Sequence, residues 1–100
     1  MAQSKEQRAA FALGMAQKAG KAASGGLAVQ NALKSGKAQL LAVACDAAPN
    51  TKKELYALAQ AAGVPVTEVL DKDTMGHAIG KAQRTAVAVL DANFAKMLQQ

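Results

Sequence analysis

Cysteine is all but missing: Cys45 stands alone in the 100 residues. One thiol builds neither a disulfide framework nor a cysteine-based metal site, so the chain suits a reducing compartment and is expected in the cytoplasm. Tryptophan is absent and aromatics make up 3% of the residues. A core must therefore close on small aliphatic side chains. His77 is the only histidine. No apolar run is long enough to span a membrane, and the polar opening "MAQSKEQRAA" is no signal-peptide h-region. Linkers, low-complexity tracts and internal repeats are lacking too. Residues 1–100 are expected to form one domain.

What the chain does have is apolar residues, 51%, many of them Ala, and a net charge of +5. The charge is unevenly spread. Residues 1–40 hold Lys5, Arg8, Lys18, Lys21, Lys34 and Lys37 against Glu6 alone, whereas residues 41–100 hold six groups of each sign. A field concentrated in one part of the chain suits a polyanionic partner such as a nucleic acid.

Helix and strand signals alternate along the chain. "SKEQRAAFALGMAQKAG" reads as a helix, with Ser4 and Gln7 in capping-box spacing and Gly20 as a stop. Lys21–Ala23 reads as a very short strand, and Gly25–Ser35 as a second helix closed by Gly36. "AQLLAVAC" and "TAVAVL" are continuous apolar runs of strand length, the pattern of strands covered on both faces. Pro49 and Asn50 open a third helix that Gly63 ends, with Thr51 and Glu54 in capping-box spacing. "VPVTEVL" reads as a strand, Asp73 as the cap of a short helix through Ala78, and Asp91 as the cap of the last helix. The alternation predicts an α/β domain with helices on both faces of a small sheet.

No catalytic constellation is visible. Cys45 at the end of an apolar strand reads as a buried small hydrophobe, and His77 as a helix-surface imidazole. "ASGGLAVQ" lacks the Gly-Lys-Ser/Thr ending of a Walker loop, and the glycines of "GHAIGKAQR" lack dinucleotide-binding spacing. Asp46, Asp73 and Asp91 are accounted for by turns and caps. Neither a cofactor nor a metal ion is implied.

"KAGKAASGGLAVQNALKSGK" is the segment with most to say. On a helical wheel Ala28, Val29, Ala32 and Leu33 form the apolar side of the helix after Gly26. Leu27, Asn31 and Lys34 form an outward stripe beside Gln30. The Gly25–Gly26 turn offers free backbone N–H groups to an anion, with Lys18 and Lys21 before it and Lys37 after. The same residues also suit a solvated helix face and a simple turn. Lys81 and Arg84 bracket a second basic loop, "GKAQR", ahead of the last strand.

"LGMAQKAGKAASG", "ALKSGKAQLLAVACDAAPNTKKEL", "GVPV" and "MGHAIGKAQRTAVAVLDANFAKML", in that order, resemble the ribosomal protein L-seven-Ae / L-thirty-e family, with most likeness to its small bacterial YlxQ-type members. The resemblance covers roughly residues 10–98. It implies a three-layer α-β-α sandwich around a mixed four-stranded sheet. It also implies a non-enzymatic protein that binds structured RNA, kink-turns in many relatives, in ribosomes or other ribonucleoprotein particles. The helix at Gly25–Lys34 would enter the RNA groove and the loop at Ile79–Arg84 would cover protruding bases. The RNA-facing residues are then Lys18, Lys21, Ser24, Gly25, Gly26, Leu27, Asn31, Lys34, Lys81, Ala82, Gln83 and Arg84.

This chain departs from the kink-turn binders of that family. They carry a basic residue before the Gly, then an Asn-Glu pair, then a Lys one helical turn on. Here those positions hold Ser24, Leu27 with Ala28, and Asn31, and Lys81 replaces the usual aliphatic residue of the covering loop. The expectation is a protein that keeps its phosphate-directed charge and has altered base readout. It requires Lys18, Lys21, Lys34, Lys81 and Arg84 to share one surface. The alternative is a protein–protein interaction module on the same scaffold, with Leu27 as a partner contact.

Overall fold

Two runs of the chain are buried on both faces, and the fold is built around them. The computed structural model describes residues 4–99. Its elements are α1 (Lys5–Lys18), β1 (Ala22–Ser24), α2 (Gly26–Lys34), β2 (Leu40–Val43), α3 (Pro49–Ala62), β3 (Val66–Glu68), α4 (Lys72–Ala78), β4 (Ala86–Val89) and α5 (Ala92–Gln99). The sheet order is β1-β4-β2-β3. β4 lies antiparallel to both β1 and β2, and β2 parallel to β3, so the sheet is mixed.

Strand periodicity divides the core in two. Leu40 and Ala42 of β2, with Val87 and Val89 of β4, pack under α1, α4 and α5 against Leu13, Met75 and Leu98. Leu41 and Val43, with Ala86 and Ala88, face the other way onto Val29, Ala32 and Leu33 of α2 and Ala59 of α3. Successive side chains of a strand point to opposite faces, so both central strands must be apolar throughout. They are: every residue of β2 and β4 is buried. The result is the expected α-β-α sandwich.

Several helix ends are written in the sequence. Ser4 Oγ accepts from the Gln7 N–H (3.1 Å) while Gln7 Oε1 accepts from the Ser4 N–H (2.9 Å), a complete capping box. Asp91 Oδ1 accepts from the N–H groups of Asn93 and Phe94 at the start of α5. Other ends differ from expectation. Pro49 opens α3 as expected, but Thr51 and Glu54 form no capping box: the N-cap is Ala48, three residues before Thr51. Proline's fixed φ and missing N–H suit the first helical position, and Thr51 falls inside the helix. The cap of α4 is Asp71, whose Oδ1 accepts from Thr74 N (2.7 Å), and Asp73 lies in the first turn. Cys45 is exposed rather than buried, because the strand ends at Val43 and Cys45 falls in the turn beyond it. Among the described residues, no helix is long and apolar enough to cross a membrane.

One carboxylate ties two surface elements together, and another caps its own helix. Glu68 accepts from Lys52 Nζ (2.8 Å) and from the Tyr56 hydroxyl (2.5 Å), joining β3 to α3. The Lys52 bond first, then the Tyr56 bond, hold its carboxyl below the usual carboxylate range. The Thr74 bonds do the same for Asp71. Both groups bind a proton less readily folded than unfolded. Their stabilisation is therefore present above the ordinary carboxylate pKa and is lost as pH falls through the lowered folded values. The melting temperature is expected to drop as pH falls below roughly 4. A Glu68→Gln/Asp71→Asn variant should follow a flatter profile, its deficit at pH 7 shrinking as pH falls through the lowered folded values. Parallel curves would refute the assignment.

Candidate nucleic-acid interface

β-pairing decides what stands beside the Gly25–Gly26 turn. Ser24 is opposite Val87 in the β1–β4 register, which sets Arg84, three residues upstream of Val87, at the same end of the sheet. Arg84 Nε donates to Ser24 Oγ at 3.4 Å, a long bond, while its Nη1 donates to the carbonyl of Gln83 at 2.9 Å and reaches that of Ala82 at 3.5 Å. The guanidinium is thus drawn over the turn from a loop sixty residues away in sequence.

The turn itself is open. Gly25, the N-cap of α2, has φ 92° and ψ 148°, a conformation that side chains avoid, and no side chain caps the helix. The first N–H groups of α2 carry the positive end of the helix dipole, and no acid stands in its first turn. Leu27 is 73% exposed. Gln30, Asn31 and Lys34 are exposed as the wheel required, but so is Ala28, which the wheel placed on the apolar side. Val29, Ala32 and Leu33 alone anchor the helix, leaving Ala28 at the margin of a narrow buried stripe.

The facing loop is clamped onto α4. Lys81 N donates to the Gly76 carbonyl (2.8 Å) and Arg84 N to that of Lys72 (3.1 Å). The Gln83 side-chain amide donates to the Asp73 carboxylate. Gly76 is buried, and a Cβ there would lie 1.9 Å from the Ala82 oxygen. Only a residue without a side chain lets the loop lie this close.

Between the turn and the loop is a cleft of about 360 Å³. Gly25, Gly26 and Gln30 form one side, Thr51, Glu54 and Leu58 of α3 the other, and Gln83–Ala86 its end. Its α3 side is absent from the sequence-derived residues, although Thr51, Leu55 and Leu58 recur at helical spacing on one face. None of Cys45, Asp46 or His77 lines it.

The five cations expected to share one surface do not converge: they fall in two places. Arg84 sits at the turn, and Lys81 lies on the loop running along α4. Lys21 precedes β1, where its carbonyl accepts from Leu90 N, at the opposite end of the sheet from Ser24. Lys18 ends α1 just before it. Lys34 ends α2, roughly 13 Å along the helix from the turn, beside a second hollow with Leu33, Leu58 and Ala62. The fold brings Ser24, Gly25, Gly26, Leu27, Gln83 and Arg84 together and leaves Lys18, Lys21 and Lys34 away from the turn.

Comparison with known proteins fits this architecture. Residues 7–99 match the model of the ribosomal protein L7Ae/L30e/S12e/Gadd45 family. The chain belongs to this family. RNA-binding protein YlxQ of Bacillus subtilis (strain 168) is 35% identical over 86 residues, 86% of each chain. A protein with unknown function from Bacillus halodurans C superposes with a TM-score of 0.83 at 30% identity, over 92% of this chain and 97% of its own. The Giardia lamblia 15.5kD RNA binding protein superposes with a TM-score of 0.82 over 99% of this chain and 88% of its own. At 16% identity the last likeness concerns the fold alone.

Proposed function

We propose that this family member is a non-enzymatic RNA-binding protein. It grips structured RNA with the α2 turn and the loop before β4, and its base readout differs from that of kink-turn binders. The observation that carries the reading is Arg84 drawn onto Ser24 beside the uncapped, acid-free N-terminus of α2. Cation and backbone donors converge there on a space wide enough for a phosphate and an adjoining base. The identity of the YlxQ relative, named as an RNA-binding protein, supports RNA as the partner. Arg84 supplies at the turn the charge that Ser24 lacks, and Lys81 extends it along the loop before β4. Leu27 and Ala28 offer no hydrogen bonds to base edges, so affinity rests on phosphate contacts and shape. Ribosomal or other structured RNA in the cytoplasm is the expected setting, with residues 1–100 acting as one domain.

A salt titration tests this. Binding to a structured RNA should fall steeply with salt, and Arg84→Gln should weaken it across sequences and reduce the slope of log K against log salt by roughly one. Failure to bind any structured RNA at low salt rejects the function, and an unchanged slope rejects the role of Arg84. The 73% exposure of Leu27 favours a second reading, a protein-interaction module with RNA recognition lost. That reading predicts no RNA binding, and partner binding abolished by Leu27→Asp.

A further inference from the structure

The outer face of α1 plays no part in the interface above, yet it is built unlike an ordinary solvated helix face. Phe11 is 54% exposed and Met15 38% exposed, in a chain with only two phenylalanines. They lie four residues apart, one turn along the helix. Arg8 lies one turn before Phe11 and Lys18 one turn after Met15, and both are exposed. At 3.6 residues per turn these four side chains fall within an arc of about 80° and run for roughly 15 Å. The opposite side of the helix, Ala9, Ala12, Leu13 and Ala16, is buried in the core. Glu6, the acid of α1, projects roughly 160° round the helix from the stripe. The stripe is therefore cation, aromatic, thioether, cation, with no balancing carboxylate of its own element.

We infer that this stripe is a docking surface for a partner protein's amphipathic helix, one with an apolar centre flanked by acidic residues. Charge decides among the occupants. Two copies of this chain pairing through the stripe would set Arg8 and Lys18 against each other's cations, in either orientation, with no acid of α1 on that face to offset them. An RNA would satisfy the two cations but would leave Met15 and most of the Phe11 ring without an apolar partner. A helix carrying Glu, Leu, Leu and Glu at the mirrored spacing covers all four side chains at once. The layer that presents the stripe is α1, α4 and α5, across the sheet from α2 and α3. A partner there leaves the α2 turn free, so the surface serves to recruit an RNA-bound protein to another.

The test uses the full chain, isotopically labelled, and a synthetic helical peptide with that Glu-Leu-Leu-Glu pattern. The peptide should shift backbone amide resonances of α1 between Arg8 and Lys18 and bind saturably. Phe11→Ser/Met15→Ser should weaken binding by about tenfold or more while the protein still melts cooperatively, since neither side chain is in the buried core. A matched peptide with Lys in place of Glu should not bind. The proposal is overturned if both peptides bind equally, or if neither does. It is overturned too if a straight RNA duplex or anionic phospholipid vesicles shift α1 where the peptide does not. Sedimentation showing a dimer that needs Phe11 and Met15 would assign the stripe to self-association instead. RNA binding by the Phe11→Ser/Met15→Ser variant reads out separately and should be retained.

Discussion

Gly76→Ala should lower the melting temperature by up to roughly 15 °C and weaken RNA binding at the same time. Two effects oppose each other at this position. Alanine in place of glycine within a helix is worth about 1 kcal/mol in propensity. Against it, the new Cβ would sit 1.9 Å from the Ala82 oxygen and 2.7 Å from its carbonyl carbon. These are backbone atoms with no rotamer to change. The loop must lift off α4, breaking the Lys81–Gly76 and Arg84–Lys72 bonds that hold it. Overpacking of this kind costs about 1–3 kcal/mol, occasionally more, so sterics outweigh propensity. A lifted loop also takes Arg84 away from Ser24, which couples a stability change to a binding change. Gly26→Ala is the control. Nothing lies within 4 Å of its Cβ and its φ is not positive, so that variant should melt at or above the wild-type temperature. A Gly76→Ala protein as stable as wild type would show that the loop is not held in this way.

Leu27→Asn/Ala28→Glu should raise affinity for a kink-turn RNA by tenfold or more while lowering affinity for a straight duplex. Both positions are exposed on the first turn of α2, so the fold tolerates the change. The Glu also sits favourably against the helix dipole. Each bidentate contact regained with a base edge is worth about 1–3 kcal/mol. The added carboxylate meanwhile repels phosphate, so sequence-independent binding weakens. Opposite signs on two RNAs separate recovered readout from a general gain in stickiness. Calorimetric titration of both RNAs against both proteins measures it. Equal changes on the two RNAs would mean that α2 does not face the bases.

The fold was open to reading where burial is simple. β2 and β4 are apolar throughout because both faces are covered, and such runs stand out in a sequence of alternating elements. Ser4 and Asp91 announce helix starts because their bonding partners lie two or three residues away. Where a choice depended on distant residues, local signals misled. In "LDKD" either aspartate can cap α4. Asp71 does so, and Asp46, twenty-six residues before Lys72, accepts the Lys72 N–H and pins that end of the helix. Thr51 and Glu54 have capping spacing but line the cleft instead. Cys45 looked buried because the apolar run does not reveal where the strand stops.

The same division holds for the site. The Gly25–Gly26 turn and the loop to Arg84 were each visible as basic segments around small residues. That they meet was not, since contact between Ser24 and Arg84 follows from the β1–β4 register. The need for glycine at residue 76 was equally hidden, being set by a loop that folds back on its own helix.

The central claim is that the protein holds RNA by phosphate and shape without strong readout of kink-turn bases. Titrating the unmodified chain with a kink-turn RNA and a straight duplex of equal length, at low and at high salt, tests it most directly. The account predicts affinities for the two RNAs within about tenfold at low salt, both falling steeply as salt rises. Tight binding confined to the kink-turn and persisting at high salt would contradict it.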